Sequence, residues 1–130
     1  MCRVVVDTNV FISSKLSLLG NPAKVLDLIA DGEIELYYSS DILNEYKKVL
    51  AYKRLNFSVE HQESAIEDIE SIGILIDPSK SNISLPDESD RIFYDAAKAA
   101  GAYLITGNLK HYPAEPHIIP PAQFIKIFGG

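Results

Sequence analysis

Four side chains of this 130-residue chain have the types and positions to do chemistry together: Asp7, Glu45, Asp90 and Asn108. Asp7 follows directly on the β-branched run Val4-Val5-Val6, and Asn108 follows Thr106-Gly107 at the end of Tyr103-Leu104-Ile105. In an open α/β sheet ligands bind beyond the carboxyl ends of the strands, so both residues lie where a site is expected and meet if their strands are neighbours. Asp90 falls in the first turn of the helix that leads to the second of those strands, at the same end of the sheet. Glu45 lies roughly 100° from the centre of its helix's apolar stripe, on the border with solvent, where a carboxylate can face a cleft. Three carboxylates converging with an amide repel one another unless a cation is bound, and an all-oxygen donor set suits a hard divalent ion, Mg²⁺ or Mn²⁺. Such an ion keeps several waters and can activate one of them, or steady a leaving oxygen, in phosphodiester cleavage. Taken singly, Asp7 is a turn residue, Asp90 a helix-start acid and Glu45 a surface acid. Only their conjunction predicts a metal site.

The elements that must position these groups alternate along the chain. Arg3 to Val6 reads as a buried strand. Val10 to Leu18 reads as helix, Gly20-Asn21-Pro22 interrupts it, and Pro22 to Ala30 resumes with Val25, Leu26 and Ile29 at helical spacing. Ile34 to Tyr38 is a second strand. Ser39 or Ser40 caps a helix whose apolar stripe is Ile42, Leu43, Tyr46, Val49 and Leu50. Ser58 starts another, which runs to about Ile72 and ends at Gly73. A third strand, Ile74 to Ile76, leads into a polar loop, Asp77 to Pro86. Asp87 to Asp90 then opens a helix with acids suited to its positive end and a stripe of Ile92, Phe93, Ala96, Ala97 and Ala100. Gly101, a strand at Tyr103 to Ile105, a short strand at Ile118-Ile119 and a last helix from Ala122 to Phe128 complete the order. Strands alternating with helices predict an α/β domain, a mainly parallel sheet flanked by helices on both faces, with residues 1–130 forming one domain.

Composition bounds the function. A 47% hydrophobic fraction with 23% charged residues excludes a disordered or collagen-like chain. One cysteine excludes a disulfide framework, and no apolar run approaches the ~20 residues of a membrane span. The start lacks a signal-peptide pattern, since Asp7 interrupts the valine run, so the expectation is a cytoplasmic protein with no membrane partner. A formal charge of -6 argues against nucleic acid, which usually meets a basic face. The distribution is uneven, however. Lys47 to Arg54 (KKVLAYKR) holds four cations and no acid. That stretch is either a solvated helix face or a guide for a phosphate backbone.

Other candidates carry less. His61, His111 and His117 show no zinc spacing and suggest surface or packing roles. Asp87 suits an N-cap, and Asp95 projects roughly 140° from Asp90 around the helix, away from the site. No G-x-x-x-x-G-K or G-x-G-x-x-G pattern occurs. A phosphoacceptor receiver needs an acidic pair near the first strand's end, which Val4 to Val6 do not offer.

The segments Val4-Val5-Val6-Asp7-Thr8-Asn9-Val10, Ser40-Asp41-Ile42-Leu43-Asn44-Glu45-Tyr46, Asp87-Glu88-Ser89-Asp90-Arg91-Ile92-Phe93 and Tyr103-Leu104-Ile105-Thr106-Gly107-Asn108 together resemble the PIN domain. The branch they look most like holds toxins of toxin–antitoxin systems. The resemblance covers nearly the whole chain, in order. It implies a PIN-like fold and a Mg²⁺- or Mn²⁺-dependent ribonuclease cutting single-stranded RNA, with a small antitoxin protein as partner and a homodimer left open. By position, Asp7, Glu45 and Asp90 match the family's three core acids, and Asn108 stands where many members have a fourth, lowering the formal charge of the motif from -4 to -3. Asn can still offer a carbonyl oxygen. Thr8, Asn9 and Thr106 resemble its polar supporting residues. The alternative is a PIN-fold RNA-binding or interaction module with little catalysis.

Overall fold

Adjacent residues of a strand face opposite sides of its sheet, so three consecutive valines can all be buried only if both sides are covered. The computed structural model describes residues 1–128 and buries Val4, Val5 and Val6 almost completely. Five strands are found among the described residues: β1 (Arg3–Val6), β2 (Glu35–Tyr38), β3 (Ile74–Leu75), β4 (Tyr103–Ile105) and β5 (Ile118–Ile119). They pair in parallel in the order β3-β2-β1-β4-β5. Val4 lies opposite both Leu36 and Tyr103, and Val6 opposite Ile105. The chain thus leaves β1 toward one edge of the sheet and returns to β1's other side as β4. That reversal makes a crevice beyond the carboxyl ends of β1 and β4.

Among the described residues six helices flank the sheet: α1 (Thr8–Leu16), α2 (Asn21–Ala30), α3 (Ser40–Leu50), α4 (Val59–Ile72), α5 (Arg91–Ala100) and α6 (Pro121–Phe128). α2 packs between α1 and α6, while α5 lies against β1, β2 and β4. Gly73 terminates α4 because a side chain there would come within 2.7 Å of the Ile69 carbonyl and the Tyr38 ring. α1 begins at Thr8 and ends at Leu16, two residues earlier at each end than the sequence spacing suggests. Asp7, not a later residue, is its N-cap, and Ser17 turns extended at its far end. The acids at 87–90 do not form the first α-turn either. Asp87 accepts from the backbone N–H and hydroxyl of Ser89, which tightens Glu88–Asp90 into a 3₁₀ turn before α5 begins at Arg91.

Tyr46 joins these parts. It is fully buried, its ring stacks on Phe11 of α1 at 4.3 Å between centroids, and Phe93 of α5 leans on it at 6.4 Å. Its hydroxyl donates to the Val6 carbonyl at the end of β1. The helix that carries Glu45 is therefore bonded to the strand that delivers Asp7. Removing a buried donor costs about 1–3 kcal/mol when its acceptor is left without a partner. Tyr46→Phe should lower the unfolding free energy by that amount in urea denaturation with an unchanged slope; a midpoint equal to wild type would show that the bond carries no weight.

Candidate functional site

Asp7 is 4% exposed, a poor place for a charge unless hydrogen bonds replace its lost water. Three donors do so. The Thr8 backbone N–H donates to Oδ1 at 2.7 Å, while the Thr106 hydroxyl at 2.7 Å and the Tyr112 hydroxyl at 3.0 Å donate to Oδ2. Thr106 has one proton to give, and its oxygen accepts the Asn108 N–H at 3.0 Å, which directs that proton to Asp7. Two donors occupy Oδ2, so the uncommitted lone pair belongs to Oδ1. Burial nevertheless dominates and raises the Asp7 pKa above the usual carboxylate range, against the lowering by these bonds. The Tyr112 phenol is pushed up by burial and by the charges of Asp7 and Asp90, so it stays protonated and donates.

Asp90 stands on the other side of the crevice with its side chain 14% exposed, at the junction of the 3₁₀ turn and α5, and its carboxylate makes no capping bond. Its Oδ2 lies 3.0 Å from His111 Nδ1. Burial raises its pKa first and the Asp7 charge second, which shows that the two carboxylates feel each other. Glu45 sits on the solvent border that its helical angle predicts and pairs with Lys48 at 3.9 Å. Asn108 is exposed and caps a further 3₁₀ turn, Leu109–His111. Asn9 accepts from the Gly107 N–H at 3.2 Å, fastening the first turn of α1 to the loop after β4.

All four residues line one cleft of about 430 Å³. A larger cavity of about 700 Å³, around Asp41, Lys80 and Arg91, shares no lining residue with it, and the Arg91 guanidinium is already engaged by Glu88, Ser81 and Ile83. Chemistry, not volume, therefore selects the smaller cleft. Among the described residues no three His, Cys, Asp or Glu side chains stand close enough to enclose an ion by themselves. The donor set still fits Mg²⁺ or Mn²⁺, since Mg²⁺ is usually held by one or two carboxylates and keeps its waters. Asp7 and Asp90 supply such a pair. Beside them the Thr8 hydroxyl oxygen is buried without a hydrogen-bond partner, a polar atom that a bound group or water would satisfy.

The sequence sets Lys110-His111-Tyr112 in a solvated loop or at the rim of the cleft, and it does not reveal the acids that two of them hold. His111 holds Asp90, in place of the surface or packing role assigned to all three histidines; His61 and His117 keep such roles, His117 lying 6.3 Å from the Tyr94 ring. Tyr112 holds Asp7. The one available signal was their place three and four residues after Asn108, too near to leave the same end of the sheet. Asp95 accepts from the Ser81 N–H, away from the cleft as its angle implied. The basic stretch is divided: Lys47 borders a groove between α3 and α4, Lys48 pairs with Glu45, and only Arg54 of its cations lines the acid cleft.

Comparison with known proteins agrees with this geometry. A family model described as PIN domain matches residues 3–110. The uncharacterized protein MJ1680 of Methanocaldococcus jannaschii is 32% identical over 109 residues, covering 82% of this chain and 70% of that protein. The fold is also similar to a chain in the crystal structure of VapBC2 from Rickettsia felis bound to a DNA fragment from their promoter, with a TM-score of 0.62 at 20% identity over 91% of this chain and 96% of that one. No helix among the described residues is long and apolar enough to cross a membrane. With the family model spanning every strand from β1 to β4 and both loops of the crevice, the chain belongs to the PIN domain family.

Proposed function

We propose that this protein is a Mg²⁺- or Mn²⁺-dependent nuclease that cleaves phosphodiester bonds of single-stranded RNA, the toxin of a pair with a small antitoxin protein. The observation that carries the reading is Asp7: a buried carboxylate held by three donors, with one lone pair of Oδ1 left uncommitted and the Asp90 carboxylate across the same cleft. Two carboxylates facing one cleft offer the charge and the oxygen donors that a hard divalent cation takes. The PIN family supports nuclease chemistry, and the resemblance of the four segments to the toxin branch supports the antitoxin partner.

Asp7 and Asp90 would hold the ion, with Glu45 and the Asn108 carbonyl lining the same cleft. When bound, the ion supplies positive charge to the phosphate and its leaving oxygen. The chain's own groups do the rest. Thr106 and Tyr112 hold the Asp7 carboxylate in one orientation, so no reorganisation is needed when substrate arrives. Glu45 would orient the attacking water and take its proton as the new P–O bond forms, while the ribose oxygen leaves with the electron pair of the broken P–O bond and takes a proton from solvent water. A second reading, a PIN-fold RNA-binding or interaction module, is favoured by the neutral Asn108 and by the absence, among the described residues, of an enclosed three-ligand ion site.

Cleavage of single-stranded RNA in Mn²⁺, with chelator controls, separates the two. Asp7→Asn and Asp90→Asn should abolish it, whereas Asn108→Asp should raise metal affinity by restoring a charge. Anchor variants that cleave as fast as wild type would place the activity elsewhere. No cleavage by any form, Asn108→Asp included, would favour the non-catalytic module.

The raised Asp7 pKa makes a second expectation. An acid whose pKa is higher folded than unfolded binds its proton more tightly in the fold, so stability is greatest below the ordinary carboxylate range and is lost as pH rises through the raised value. The Tm of metal-free wild type, measured relative to Asp7→Asn, should therefore fall as pH rises above the ordinary Asp value of about 4. Adding Mn²⁺ at pH 7 should reverse the loss in wild type alone, by about 2.7 kcal/mol at 100 times the dissociation constant. A flat difference with pH and no metal response would show that Asp7 is not the ion's anchor.

A further inference from the structure

The acid cleft does not end at its acids. Along α3, Glu45 and Val49 follow at an interval of four residues, and just past the helix's end the extended Tyr52 and then Arg54 continue the same wall of the cleft. The facing wall is the Asn9, Ile12 and Leu16 stripe of α1. The far end of the cleft differs chemically from the near end. Leu16 is 58% exposed there, Tyr52 is half-buried, and the Arg54 guanidinium stands over the Tyr52 ring at 5.1 Å from its centroid. Arg54 makes no ion pair or side-chain hydrogen bond among the described residues, so its five donors are uncommitted in a protein whose net charge is -6.

We infer that Tyr52 and Arg54 form a subsite for one unpaired nucleotide of the substrate strand, its base stacked on the Tyr52–Arg54 pair and its phosphate held by the Arg54 guanidinium. The inference rests on the nuclease reading only for the direction in which the strand continues, toward Asp7 and Asp90. An aromatic ring beside a free guanidinium, in a groove with apolar walls, matches what single-stranded nucleic acid offers and a duplex hides: a π-face that any base presents and a flexible backbone phosphate. Arg54 also supplies the local positive charge that the acid pair lacks, which lets a phosphate approach a cleft lined by carboxylates. The subsite excludes paired RNA, because a base cannot reach the Tyr52 ring while it is stacked in a helix.

Binding of a fluorescently labelled single-stranded oligoribonucleotide in EDTA, where no cleavage occurs, tests this directly. Tyr52→Ala should weaken binding roughly 5- to 150-fold, the range for loss of one stacked base, and Tyr52→Phe should retain it. An abasic strand of equal length should bind wild type and Tyr52→Ala alike, and Arg54→Gln should weaken both strands and flatten the salt dependence. Thermal melts check that each variant is folded. Wild-type cleavage with Tyr52→Ala and Arg54→Gln binding like wild type would overturn the subsite and leave the nuclease standing, with the groove then free for a protein partner. Tyr52-dependent binding without cleavage in any metal would keep the subsite and remove the nuclease reading. Tyr52→Phe binding as weakly as Tyr52→Ala would also overturn the stacking assignment.

Discussion

A carboxylate placed inside a protein must be hydrogen-bonded or neutralised, and much of this structure is arranged around that requirement at Asp7. Its three donors come from places far apart in the chain: the first residue of α1, the residue after β4, and the end of the 3₁₀ turn beyond Asn108. Each donor ties one element to the same two oxygens. The parallel register that sets Val6 against Ile105 is what brings Thr106 within reach, and the Asn108 N–H then decides where the Thr106 proton points. Orientation of the acid is thus a joint product of the local helix start, which holds Oδ1, and of the sheet, which brings Thr106 to Oδ2.

The second acid is held differently. Asp90 has no backbone donors at its carboxylate; it has His111, and it carries the field of Asp7 across the crevice. One acid is fixed by two hydroxyls and a backbone amide, while the other meets a single imidazole. Tyr46 sets the distance between this pair and Glu45, since its hydroxyl and ring fix α3 against β1, α1 and α5.

Much of this was legible in the residues. The alternation of strands and helices follows from hydrophobic period, and Asp7 and Asp90 are exposed to inference because strand ends and helix starts are marked by composition. Where spacing fell short, the cause was a competing local bond. Asp7 draws the start of α1 back to Thr8, and the Asp87–Ser89 turn tightens 88–90 into a 3₁₀ turn. His111 and Tyr112 could not be read at all in their roles, because those depend on the path between β4 and β5. Most parallel connections carry a helix, but this one is filled by a short 3₁₀ turn lying over the crevice. Tyr46 was visible as an apolar stripe member, yet the acceptor for its hydroxyl is a carbonyl forty residues away.

Both outer strands of the sheet, β3 and β5, are only two residues long. An edge strand displays unsatisfied backbone groups on which another chain can add as a further strand, and brevity is among the ways proteins blunt that template. A sequence this rich in valine and isoleucine is thereby kept from edge-to-edge growth and the aggregates it seeds. The register of the central strands, and with it the alignment of Thr106 on Asp7, is thereby left to the chain's own pairing.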